Sequence, residues 1–123
     1  MTALESQAPS TEQVLSKAIL NVADDLGLTG QEIAKVLGVH RSKISRLKQS
    51  LDLSPSSKEG EIALLLIRIA RGLFGLVGQD KHWVEHFMRT HNQLTQGVPA
   101  QQVQTVQGLV TVLHVVDSLR GKN

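Results

Sequence analysis

The chain has 123 residues with no cysteine, 13 Lys and Arg against 11 Asp and Glu, and 41% of it is hydrophobic. This bounds it to one compact domain, or two small ones sharing a core, and excludes a disulfide framework, a cysteine-ligated zinc finger and a cysteine nucleophile. One Trp, two Phe and no Tyr are too few for the aromatic platforms that grip single-stranded nucleic acid.

Residues 1–10, which hold Glu5 and no apolar core, read as a flexible tail and not as a signal peptide. Apolar positions then recur at helical spacing: Val14, Leu15, Ala18, Ile19, Val22 and Leu26. Ser10 with Gln13 makes a capping box and Gly27 is placed as a stop, which predicts a helix over about 11–26. Thr29 with Glu32 opens a short helix that ends at Gly38, and a third begins near His40. Pro55 and the serines around it mark a linker over 51–57. Ser56 with Glu59 forms another possible box before a long helix carrying Ile62, Leu65, Leu66, Ile69, Leu73 and Leu76, whose end Gly72, Gly75 and Gly78 should fray. Its longest apolar run, residues 62–67, stops at Arg68, far short of the ~20 residues of a membrane span, so a cytoplasmic location is expected. Asp80 can cap a helix with Trp83, Val84, Phe87 and Met88; residues 92–98 turn; and Pro99 suits a first helical position. Val110, Val112, Val115 and Val116 could alternate as a strand. Val106, Leu109, Leu113 and Val116 keep a helical step instead, and no second strand exists to pair with them. The chain therefore reads as an all-α protein of seven helices, with a helix-turn-helix DNA-binding unit over 11–54 and a second helical unit over 55–123.

Residues 28–47 have the period and punctuation of a helix-turn-helix. Ala34 is small where the helices cross, Gly38 supplies a positive φ, and Ile33, Leu37, Ile44 and Leu47 bury between the helices. The second helix would then lie in the major groove with Arg41, Ser42, Ser45 and Arg46 outward, the two arginines reading guanine. From 35 to 48 the chain holds five basic residues (Lys35, Arg41, Lys43, Arg46, Lys48) and no acid. Gln31 and the helix opening at Thr29 are placed to bond phosphate, with Lys43 and Lys48 adding nonspecific attraction to operator double-stranded DNA. The plainer alternative is a packed helical hairpin whose lysines are a solvated face.

His82-Trp83-Val84-Glu85-His86 matches the H-x-x-E-H pattern of a zinc hydrolase class. A third ligand is wanting: downstream of His86 stands only Asp117, with His91 and His114 as substitutes, and the chain has little body for a substrate cleft. A helix with solvated or paired histidines is preferred. No metal and no cofactor is expected, no Gly-rich phosphate loop appears, and the chain is not read as an enzyme.

The order Phe87-Met88, Asn92, Gly97-Val98-Pro99, Thr105, Gly108-Leu109, Val112 and the ending Val116-Asp117-Ser118-Leu119-Arg120-Gly121-Lys122 resembles the toxin-binding domain of the Xre/MbcA/ParS antitoxin family, and the preceding helix-turn-helix fits it. The resemblance implies a type II antitoxin that neutralises a RES-domain toxin, an NAD-depleting enzyme, and represses its own operon. It assigns toxin contact to Val116, Asp117, Leu119, Arg120, Gly121 and Lys122. Arg120 with Gly121 equally fits a helix C-terminal cation and its stop. Thr95 stands where relatives carry an apolar residue, and Val115 replaces an aromatic. A homodimer is expected, since one recognition helix buries little surface and paired helices read half-sites ~34 Å apart; the apolar faces of 62–76 and 103–116 are candidates for that contact or for the monomer's core. A stand-alone repressor or a ParS-like adaptor without a toxin is the alternative.

Overall fold

The computed structural model describes residues 8–121. Among these the chain forms seven helices and no strand: α1 (Thr11–Asp25), α2 (Gly30–Leu37), α3 (Arg41–Ser50), α4 (Lys58–Val77), α5 (Lys81–Arg89), α6 (Pro99–Gln102) and α7 (Val106–Leu119). The tail expected over 1–10 falls mostly outside the described residues, as does Lys122. No described helix is long and apolar enough to cross a membrane.

Local chemistry sets most of the boundaries. Ser10 and Thr29 each accept a hydrogen bond from the backbone three residues on, while Gln13 and Glu32 reach back, so both capping boxes close. Gly38 ends α2 at φ 71, the left-handed region that a side chain resists. Two expectations need correction. The cap of α4 is Ser57, whose Oγ accepts from the Gly60 N–H at 3.0 Å, and not Ser56. Nor do Gly72 and Gly75 fray α4, which continues to Val77 and stops at Gly78, because Gly72 is buried where α7 leans on the helix.

α4 is the central beam, packed against α1 and α7 and touching α2 and α5. Leu66, Ile69 and Leu73 of α4 are fully buried, as are Val112 and Val116 of α7 and Leu26 at the end of α1, all in one continuous core. The apolar faces of α4 and α7 thus meet largely inside the monomer. The segment between α3 and α4 is also tied down: Leu53 is buried, and its N–H donates to the buried Ser16 hydroxyl of α1 at 3.0 Å. Between α5 and α6, Asn92 organises a turn by accepting from the Leu94 and Thr95 N–H groups at 2.8 and 3.0 Å. Thr95 is buried there with its hydroxyl directed at the Gly97 carbonyl at 3.3 Å, so a polar side chain at this position keeps a partner.

Candidate functional site

α3 sits on α2 through Ile44 and Leu47, both buried. That anchoring fixes the opposite side as the solvent face, where Ser42, Ser45, Arg46 and Gln49 follow one another at helical spacing and all are exposed. Arg41 and Lys48 lie along one flank, sharing a shallow groove with Ser45 and Asp24. Lys43 lies on the other flank beside Arg46 and is engaged with Glu59 of α4 at 3.4 Å. His40 caps α3: its Nδ1 accepts from the Ser42 N–H at 3.2 Å and lies 2.9 Å from the Ser42 hydroxyl. Gln31 is exposed in the first turn of α2. The expected DNA-facing residues of α3 are therefore exposed on one helix, except for the half-buried Lys43, which Glu59 partly neutralises, and the start of α2 at Gly30 borders the same groove as Arg41. Gln49 is a further member that the sequence reading omitted, although its spacing from Ser42 and Ser45 marks it.

The end of α7 distributes its side chains differently. Val116 is fully buried, and a Cβ added at Gly72 would lie 2.4 Å from its Cγ1, so the bare glycine is what lets α7 approach α4. Asp117 is also turned inward and accepts a hydrogen bond from Nη2 of Arg68 on α4. These two residues, grouped by resemblance with a partner-contacting ending, hold the helix in place from its inner side. Leu119, 47% exposed, faces solvent. Arg120 and Gly121 are exposed as well, with the Arg120 guanidinium lying over Gly75 and Gly121 at φ 73.

A clamp joins the start of α2 to the end of α5. Arg89 at the end of α5 makes a bidentate pair with Glu32, at 2.6 and 2.7 Å, and also donates to the Gly27 carbonyl. The same Glu32 carboxylate accepts from the Thr29 N–H at 2.9 Å as part of its capping box. The Arg89 hydrogen bonds hold Glu32 at about 2, well below its ordinary 4.5, with the Thr29 N–H assisting against the opposing effect of burial. The pairing in turn raises Arg89. Lys81 adds an ion pair to Asp24 at 3.6 Å. The opening turn of α2, which carries Gln31, is thus fastened to α5.

The histidine pattern does not assemble. Glu85 lies against Gly27 and near Arg89, His86 Nδ1 is 3.4 Å from the Thr90 hydroxyl, and among the described residues no group of three or more His, Asp or Glu is placed to hold a metal.

Two family models match the chain. That of the antitoxin Xre-like helix-turn-helix domain covers residues 7–68, and that of the antitoxin Xre/MbcA/ParS C-terminal toxin-binding domain covers residues 70–122, so the two meet within α4. A search of the curated proteins finds no match.

Proposed function

The chain belongs to the antitoxins that join an Xre-like helix-turn-helix to an Xre/MbcA/ParS C-terminal toxin-binding domain, and from that premise we propose that it neutralises a RES-domain, NAD-depleting toxin and represses its own operon. The observation that carries this reading is the presence of two distinct exposed surfaces on one packed core: the crest of α3 with Arg46, and the outer end of α7 with Leu119 and Arg120. A guanidinium on the first suits guanine O6 and N7, and one on the second suits a carboxylate of a protein partner. The RES identity rests on the resemblance of the chain's ending to antitoxins of that pair.

In operator binding, Ser42, Ser45, Arg46 and Gln49 face the bases, Arg41 and Lys48 flank them, and Gln31 positions phosphate at the start of α2. Lys43 contributes less than its charge implies because Glu59 holds it. In toxin binding, Leu119, Arg120, Gly121 and Lys122 make contact, while Val116 and Asp117 position them from within. Two copies bind together as a homodimer, since a single recognition helix supplies too little buried surface for specific affinity. The role is one of binding and regulation, not catalysis.

Expressing the neighbouring reading frame with and without this chain tests the proposal, with growth, cellular NAD and copurification followed together. The neighbour should arrest growth and lower NAD, and this chain should reverse both effects in a copurifying complex. Arrest without NAD loss would replace the RES partner by another toxin. A harmless neighbour that does not bind would leave a stand-alone repressor or adaptor.

A further inference from the structure

An open groove of about 710 Å³ runs between α1, α4 and the end of α7. Its floor is apolar, formed by Leu15, Ala18 and Ile67, and its rim carries Val14 and Leu64, large aliphatic side chains left 54% and 47% exposed. Arg68, Arg71 and Arg120 line the same groove, and none of its lining residues is an acid. Arg68 already serves Asp117. Arg71 and Arg120 take part in no ion pair among the described residues. Apolar surface exposed beside unpaired guanidinium groups is the composition of a protein contact, where arginines and aliphatic anchors recur.

Charge decides the occupant. A second copy seated two-fold on this groove would bring Arg68, Arg71 and Arg120 toward their own copies, a like-charge arrangement that costs affinity. An acidic segment with aliphatic or aromatic side chains meets both features at once. We propose that the groove seats such an acidic, apolar-toothed segment of the toxin, its apolar side chains lodged between Val14 and Leu64 and its carboxylates on Arg71 and Arg120. This rests on the chain being an antitoxin with a protein toxin. It extends the contact surface from the end of α7 onto α1, so that the toxin straddles both matched regions.

The test uses full-length protein and the product of the neighbouring reading frame. Binding is measured by calorimetry for the wild type, for Val14→Asp with Leu64→Asp, and for Arg71→Glu. Both sets of substitutions are on exposed positions, and circular dichroism with operator binding checks that each variant folds. The double variant should lose about a hundredfold in toxin affinity and Arg71→Glu about tenfold, with operator binding unmoved and the Arg71→Glu loss shrinking in high salt. Wild-type affinity in folded variants would overturn the groove while leaving the antitoxin reading intact. Absence of wild-type binding would overturn both. If the double variant instead converts a dimer to a monomer, or abolishes only a melting shift caused by decanoate, with toxin affinity unchanged, the groove belongs to a second copy or to a small amphipathic anion and the proposal fails.

Discussion

In α3 the outward set, Ser42, Ser45, Arg46 and Gln49, follows from helical spacing once Ile44 and Leu47 are buried beneath it. At the end of α7, Val116, Asp117 and the capping Arg120 go to three different surroundings, decided by Gly72, Arg68 and Gly75 on another helix. The first region displays its chemistry by local geometry. The second displays it by tertiary packing, and the ending there mixes exposed residues, Leu119, Arg120 and Gly121, with buried ones, Val116 and Asp117.

The sharpest contrast is between two glycines, Gly108 in α7 and Gly38 at the end of α2. A Cβ at Gly108 in α7 would stand 2.0 Å from the Gln102 carbonyl oxygen, so Gly108→Ala must push α6 from α7. It should cost about 3 kcal/mol in urea denaturation and weaken toxin binding more than operator binding.

Function should divide along the same line. Arg46→Ala should weaken operator binding by about ten- to a hundredfold, as loss of a guanine contact does, and leave toxin binding unchanged in a pull-down titration. Arg120→Ala should do the reverse.

Much of this architecture was legible in the sequence because its signals are short-range. The Ser10–Gln13 and Thr29–Glu32 boxes, Gly38, Asp80 and Pro99 each act within a few residues of themselves, and the apolar periods of α4 and α7 needed only a helix to make sense. What escaped was set between helices. The difference between Ser56 and Ser57 as the cap of α4 depends on how the preceding segment lies, with Ser57 Oγ donating to the Ser54 carbonyl at 2.7 Å. The inward turn of Asp117 depends on Arg68, which the sequence offered only as the end of an apolar run. Gln49 is the exception, since its spacing from Ser42 and Ser45 is enough to mark it.

The clamp between α2 and α5 gives a pH signature. Glu32 titrates lower in the folded chain than its ordinary value, so the unfolded chain takes up the proton first. The stabilisation is complete above about 4.5 and is lost as pH falls toward about 2. With Glu32 largely covered but Arg89 44% exposed, the loss should be roughly 2 kcal/mol after allowing for solvent screening. Chemical denaturation across that range should show this slope in the wild type and a shallower one in Glu32→Gln; equal slopes would remove the clamp from the energetics. The smallest effect belongs to Gly38→Ala. Nothing lies within 4 Å of a Cβ there and only the φ of 71 opposes it, so it should cost about 1 kcal/mol.

The separability of the two surfaces is tested most directly by titrating fluorescent DNA from upstream of the chain's own gene, and then the copurified toxin, into the same preparations of wild type, Arg46→Ala and Arg120→Ala. The expected result is a crossed pattern, with Arg46→Ala losing DNA alone and Arg120→Ala losing toxin alone. Loss of both ligands by either folded variant, or full operator affinity in Arg46→Ala, would contradict it.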